Sequence, residues 1–298
     1  MKKNFITIGT FDGVHKGHGM LFARLKTLAK KHKMNSMVLY FPLPPKTLMS
    51  PVPELTVLTL PDEKLALIKQ AKPDYADALN FKACKNISRE NYFDILLKTY
   101  NMGGLLVGRD FAFGKDRKGH IDFLRKACAK AGIVLEVEDF FKTAKTDGHK
   151  ISSSLIRKTL AEGDVKTANK YLGRPYSVSG IVVKGKQLGR QLGYPTANLD
   201  IGIYKILPLG VFAVEAVIGK EKFKAMANIG YRPTVNPIHS NVPLVEVNIL
   251  NFNRDIYGKT LTINFVSKIR GEKKFNGLPA LIKQLGTDAR AAAKAVKI

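Results

Sequence analysis

Gly9-Thr10-Phe11-Asp12-Gly13-Val14-His15-Lys16-Gly17-His18 stands between a short apolar run, residues 5–8, and a segment of helical spacing, residues 20–31. The first reads as a buried strand. The second repeats apolar residues at Leu21, Leu25, Leu28 and Ala29 and reads as a helix. Strand, polar loop and helix in that order aim backbone N–H groups and the positive end of a helix dipole at the loop, which suits phosphate. Two imidazoles separated by Lys16 and Gly17 can donate to the oxygens of one phosphate. Gly17 lets a nucleotide approach the backbone closely. Gly9 and Phe11, which open the loop, belong to the same candidate site. Gly17-His18-Gly19-Met20-Leu21-Phe22 comes near a dinucleotide fingerprint but lacks its third glycine.

Outward from this loop, strands are predicted at residues 37–41, 105–107 and 133–137. Helices are predicted at 61–69, 92–100 and 121–131. The alternation points to a parallel α/β layer fold. Pro42-Leu43-Pro44-Pro45 ends the second strand, because proline cannot donate to a ladder. Two helical segments follow, one from Leu155 and one at 165–172, until Gly173-Arg174-Pro175 breaks the pattern. A first domain over 1–173 and a second over 174–298 are expected. Beyond the boundary, β-rich stretches at 178–183, 211–217, 222–228, 244–250 and 261–265 alternate with turn residues, as in an antiparallel barrel or sandwich. A helix at 278–296 closes the chain.

A length of 298 residues fits two domains. No stretch approaches the roughly 20 apolar residues of a membrane helix, and the N-terminal apolar run is too short for a secretory leader. A cytoplasmic protein with no membrane partner is expected. The two cysteines, Cys84 and Cys128, are far apart. They read as free thiols rather than a disulfide or a zinc site. The net charge of +25 raises the question of nucleic acid. The basic residues are spread along the chain, however, and fit attraction for small polyanions equally well.

Two further stretches carry chemistry. In Ile151-Ser152-Ser153-Ser154-Leu155-Ile156-Arg157, serines precede an arginine one turn into a helix. Hydroxyls, amides and a guanidinium there can converge on a polyphosphate, which makes Ser153 and Arg157 candidates. In Gly185-Lys186-Gln187-Leu188-Gly189-Arg190-Gln191-Leu192-Gly193-Tyr194-Pro195-Thr196-Ala197-Asn198, the glycines permit close backbone approach. Thr196 and Asn198 offer oxygens suited to Mg²⁺ or its water shell. Gly258-Lys259-Thr260 is not a P-loop, since position 253 is asparagine.

The paired histidines, the Ile-Ser-Ser segment and Gly108-Arg109-Asp110-Phe111-Ala112-Phe113-Gly114 together resemble the FMN adenylyltransferase module of bacterial bifunctional riboflavin kinase/FAD synthetases. Gly189-Arg190 through Pro195-Thr196-Ala197-Asn198 resembles the riboflavin kinase signature. Asn228-Ile229-Gly230-Tyr231-Arg232, Asp255-Ile256-Tyr257-Gly258 and the Arg270–Phe275 stretch support it. The resemblance implies a Rossmann-like nucleotidylyltransferase domain followed by a six-stranded antiparallel barrel. It also implies riboflavin, FMN and ATP as substrates, with Mg²⁺. His15 and His18 would stabilise charge at the α-phosphate of ATP, Ser153 and Arg157 would bind the polyphosphate, and Asp110 would sit near the nucleotide. In the second domain Gly185, Gly189, Arg190, Pro195 and Asn198 would bind ATP, with Thr196 and Asn198 toward the metal. Arg232, Arg270 and Phe275 would contact flavin, and Glu246 would be the base. By alternation Glu246 shares a face with Leu244, Asn248 and Leu250, so it is either solvent-facing or turned inward for function. The chain departs from the family at Pro44, where a Pro-His-Pro usually stands, at Ser154, where threonine is frequent, and at Asn248, often histidine. The competing expectations are a kinase with a weakened adenylyltransferase half, another nucleotidylyltransferase joined to an unrelated barrel, and a basic RNA-binding barrel. The last would need aromatic residues interleaved with Lys/Arg on one strand face, and no such stripe occurs.

Overall fold

The computed structural model describes residues 2–49, 57–138, 145–146, 149–185, 188–201, 205–231 and 243–298. The described residues divide into two compact units, one up to residue 153 and the other from residue 154 on.

In the first unit, strands β1 (Asn4–Gly9), β2 (Asn35–Tyr40), β3 (Tyr75–Ala78), β4 (Met102–Gly108) and β5 (Val134–Glu138) form a sheet in the order β3-β2-β1-β4-β5. Every pairing in it is parallel. The helices are α1 (Lys16–Lys31), α2 (Pro45–Met49), α3 (Pro61–Gln70), α4 (Phe81–Cys84), α5 (Arg89–Lys98) and α6 (Ile121–Ala131). Strand β1 is buried on both faces, which is why its sequence is a continuous apolar run. Phe5 packs on one side with Leu21, Phe22, Leu25 and Leu28 of α1. Ile6 and Ile8 pack on the other with Phe93 of α5 and Leu124 of α6. Helix α1 begins at Lys16, four residues before the expected start, so Gly17 and His18 lie in its first turn and His15 is its N-cap. Strand β3, Tyr-Ala-Asp-Ala on an edge, carries little strand signal in the sequence, because alanine and aspartate are poor strand formers.

A short hairpin pairs β6 (Lys145–Thr146) with β7 (His149–Lys150). The second unit opens with most of α7 (Ser153–Ala161) and with α8 (Val165–Leu172). Helix α8 is tied to the strands that follow: Asn169 Nδ2 donates to the Phe265 carbonyl at 2.8 Å and its Oδ1 accepts from Tyr176 N at 2.6 Å. By contacts the division therefore falls at Ser153/Ser154, upstream of the Gly173 break in the helical pattern. Strands β8 (Ser177–Val183), β9 (Ala197–Asp200), β10 (Gly210–Ile218), β11 (Glu221–Gly230), β12 (Leu244–Ile249) and β13 (Thr260–Arg270) close a barrel in the order β10-β11-β12-β9-β8-β13. All its pairings are antiparallel. Fully buried Phe212, Val214, Val247, Ile263 and Phe265 belong to the barrel, with small Ala225 and Ala227 admitting the larger rings. A short turn of helix, α9 (Leu188–Gln191), precedes β9. Helix α10 (Leu278–Ala295) packs Ala292, together with Val296, against Ala213 and Met226.

Candidate functional site

The chain builds two clusters, one in each unit. In the first, the loop from β1 to α1 follows a strained course. Phe11, Gly13 and Val14 have φ of 45°, 82° and 37°, and a β-branched residue in that region is a true outlier. Strain of this kind persists only where the surroundings over-determine it. Here they do. The Asp12 carboxylate, 1 % exposed, accepts from the backbone N–H groups of Leu58 and Thr59 at 3.0 and 3.1 Å and from the Thr59 hydroxyl at 3.2 Å. The Thr59 hydroxyl in turn accepts from Gly13 N at 3.0 Å. Gly9 is required because the Phe11 ring lies across it, within 2.6 Å of where a Cβ would stand.

The loop presents two imidazoles as a stack. The rings of His15 and His18 are 3.7 Å apart and 18° from parallel, and Phe11 meets His18 edge-on at 5.3 Å. His15 is buried and Gly17 is enclosed in the first turn of α1. Ser153, distant in sequence, is brought onto this loop: its hydroxyl donates to the Asp12 carbonyl at 2.8 Å. Gly108 and Asp110 leave the end of β4, the neighbour of β1, and Asp110 is exposed. Strand order reverses between β1 and β4, so both loops open at the carboxyl ends of the strands at a topological switch point, where ligands of open α/β sheets bind. Phe113 is buried in the core beside Tyr92 and Phe123, and Phe111 stacks on it. Arg157 falls in the second unit, and its guanidinium donates to the Ser154 hydroxyl at 3.4 Å. Pro44 caps the start of α2, its carbonyl accepting from Thr47 N at 3.0 Å. The anchoring role of Asp12 was not read from the sequence. Its signal was an acidic residue inside a loop otherwise built for phosphate.

The second cluster lies on the outer face of the barrel. Glu246 is paired in register with Asn228 on β11 and with Asn198 on β9. Its neighbours Val245 and Val247, on the opposite face, are buried. Glu246 is therefore neither inside the barrel nor solvent-facing. It is half-buried and lines a cavity of about 310 Å³ that also touches Gly189, Thr196, Arg270, Phe275 and Asp288. Asn228 Nδ2 reaches Glu246 Oε2 at 3.5 Å. A second cavity of about 480 Å³ is lined by Arg190, Pro195, Thr196, Phe252, Arg254 and Tyr257 among others. Thr196 borders both cavities. Asn198 and Gly185 line neither. Asn198 packs its amide against Gly185, where a Cβ would come within 2.2 Å, and a Cβ on Gly189 would come within 2.4 Å of the Tyr194 carbonyl. Gly185 thus lies close against Asn198 of β9, and Gly189 against Tyr194 and Thr196 just before that strand.

Asn248 is buried and donates to the Pro195 carbonyl at 2.7 Å, which fastens the Pro-Thr-Ala-Asn turn to the strand that carries Glu246. Arg270 is held by the buried Asp288 of α10 through Nε at 2.9 Å and Nη2 at 2.8 Å. Its guanidinium stands 5.5 Å from the Phe275 ring centroid. Arg232 lies outside the described residues. For a divalent ion the Thr196 hydroxyl fits as a hard oxygen donor, since it stands where the two cavities meet. Among the described residues no group of three or more His, Cys, Asp or Glu forms a metal cage. Cys84 and Cys128 are free, and burial pushes the thiols up, that of Cys128 to about 11. Among the described residues no helix is long and apolar enough to cross a membrane.

A parallel α/β unit with a phosphate-type loop at its switch point, followed by a closed barrel with a carboxylate-lined double cavity, defines a two-domain transferase. The FAD synthetase family model matches residues 1–155, and the riboflavin kinase model matches residues 172–296. The bifunctional riboflavin kinase/FMN adenylyltransferase of Bacillus subtilis (strain 168) is 34 % identical over 294 residues, covering 97 % of this chain and 92 % of that one. The protein of the same description from Pseudomonas fluorescens is 35 % identical over 294 residues, covering 96 % and 91 %. A crystal structure described as a macrolide-efflux protein from Streptococcus pneumoniae superposes with a TM-score of 0.83 at 29 % identity, covering 98 % of this chain and 95 % of that one. The chain belongs to the bifunctional riboflavin kinase/FMN adenylyltransferase family.

Proposed function

We propose that the chain phosphorylates riboflavin to FMN in the barrel unit and adenylylates FMN to FAD in the α/β unit, with ATP as co-substrate in both. The observation that carries the kinase half is Thr196, which borders both cavities while Glu246 faces the smaller one. ATP occupies the larger cavity, beside Arg190 and Pro195, whereas Gly189 lines the smaller cavity and Gly185 lines neither. The flavin occupies the smaller, against Arg270 and Phe275, with Arg232 contributing from beyond the described residues. Glu246 accepts the proton of the ribityl 5′-hydroxyl as its oxygen bonds to the γ-phosphorus and the β–γ bridging bond breaks, releasing ADP. Thr196, with Asn198 behind it, would hold Mg²⁺, which would supply positive charge against that developing on the phosphates.

In the α/β unit an oxygen of the FMN phosphate attacks the α-phosphorus of ATP and pyrophosphate leaves. His15 and His18 donate to the oxygens that gain charge, and Gly9, Phe11 and Gly17 shape the loop around the phosphates. Ser153 serves the polyphosphate, and Asp110 stands on the nucleotide side. No covalent intermediate is needed, because positioning and charge stabilisation suffice. The free thiols suit a reducing compartment, and the chain works in the cytoplasm on small-molecule substrates, with no nucleic-acid or membrane partner. Incubating the protein with riboflavin, ATP and Mg²⁺ and resolving the flavins by chromatography tests the reading. FMN followed by FAD is expected. FMN alone would leave only the kinase half, and neither product would remove the reading.

A further inference from the structure

Lys64, on the first turns of α3, is completely buried. Lysine is almost never fully buried unless its charge is paired. Its ammonium donates to the backbone carbonyls of Phe41 and Pro42, each at 2.8 Å. Those carbonyls open the Pro42-Leu43-Pro44-Pro45 turn at the carboxyl end of β2. The same turn is joined to the end of β1, because Phe41 N donates to the Gly9 carbonyl at 3.2 Å.

The segment that leads into α3 grips the other side. Leu58 and Thr59 donate to the Asp12 carboxylate, and that carboxylate is the charge that acts on Lys64 through space. Residues 58–64 thus hold two walls at once, the strained loop carrying the paired histidines and the proline turn beside it. An aliphatic residue would fill the space of Lys64, but it would remove both bonds from α3 to the carbonyls of Phe41 and Pro42.

We infer that Lys64 is a positioning residue for adenylyl transfer, which sets the proline turn of residues 42–45 against the phosphate loop through the carbonyls of Phe41 and Pro42. The inference rests on the assignment of FMN adenylylation to this unit. Lys64 is buried and cannot touch substrate, so its loss disturbs orientation rather than uniform binding, and the effect falls on kcat. Misplacing reacting groups by about 1 Å costs on the order of 10²-fold.

The test uses the full chain with FMN, ATP and Mg²⁺, and compares Lys64→Met, Lys64→Gln and Lys64→Arg. Lys64→Met should lower kcat for FAD formation by about 10–10²-fold, with the KM for ATP within about twofold. Lys64→Gln, which keeps N–H donors, should fall between. Lys64→Arg, which keeps both charge and donors, should recover most of the rate. Riboflavin phosphorylation, carried by the other unit, should not change. If Lys64→Met does not fold, the kcat-against-KM split of the Gln and Arg variants decides by the same criterion. An unchanged kcat for FAD formation overturns the inference, as does a loss spread equally over kcat and KM that arginine does not rescue. Absence of FAD with the unaltered protein would remove the underlying assignment instead.

Discussion

Replacing Asp288 with Asn removes the charge that fixes Arg270. Asp288 is 1 % exposed and accepts two bonds from that guanidinium, at 2.9 and 2.8 Å, and a third from Gln284 Nε2 at 2.8 Å. Breaking a buried pair by removing one partner costs about 3–5 kcal/mol. The Arg270 side chain keeps 20 % of its exposure, so water compensates part of the loss and the lower end, about 3 kcal/mol, is expected. For a unit of this size that corresponds to a fall in Tm on the order of 10 °C. The functional effect follows from geometry. Arg270 stands over Phe275, and both line the cavity assigned to the flavin. With its anchor gone, Arg270 should no longer hold that wall, and the KM for riboflavin should rise by about tenfold or more, equivalent to about 1.4 kcal/mol. Thermal unfolding followed by circular dichroism reads the first effect and steady-state phosphorylation of riboflavin the second. Conversion of supplied FMN to FAD is the internal control. An Asp288→Asn protein with unchanged Tm and unchanged KM for riboflavin would refute the reasoning.

His18→Ala should cut FAD formation by about 10²–10³-fold, as for loss of one transition-state donor, while FMN accumulates from riboflavin; chromatography of the products checks this. Pro44→His should improve the KM for FMN or the rate of FAD formation if the histidine usual in the family contributes at that position. Steady-state kinetics with FMN decide it, and robust turnover of the natural protein with no gain would show the position dispensable. Burial lowers Lys64 from 10.5 to about 8, with Asp12 acting in the opposite sense. Between those two values the unfolded chain binds the extra proton, so the burial penalty is full below about 8 and stability rises as pH climbs toward 10.5. The rise amounts to on the order of 3 kcal/mol. Urea midpoints of the first unit across that range should show it, and Lys64→Met should abolish it.

The alternation of strand and helix up to residue 138 was legible in outline because central strands β1, β2 and β4 are mostly apolar and buried and the longer helices carry clear stripes. Edge strand β3 and strand β9 were not, since Ala, Asn and Asp dominate them and their place is set by neighbours rather than propensity. The histidine pair and the Pro-Thr-Ala-Asn turn were legible as local strings. The supports of both clusters were not. Asp12 works through N–H groups of Leu58 and Thr59, Asn248 through the Pro195 carbonyl, and Asp288 through Arg270. Each is a contact across a long sequence gap that no periodicity encodes. Glu246 illustrates the limit of alternation. It separates two faces of a strand correctly, yet only closure of the barrel shows that the polar face borders a cavity.

The most direct test of the two-site account is Glu246→Gln, which keeps size and hydrogen bonding and removes the basic carboxylate. Supplied with riboflavin, ATP and Mg²⁺, the variant should form FMN about 10²–10⁴-fold more slowly. Supplied with FMN, it should still form FAD at the rate of the unaltered protein. Unchanged conversion of riboflavin to FMN by Glu246→Gln, or equal loss of both conversions with the fold intact by circular dichroism, would contradict it.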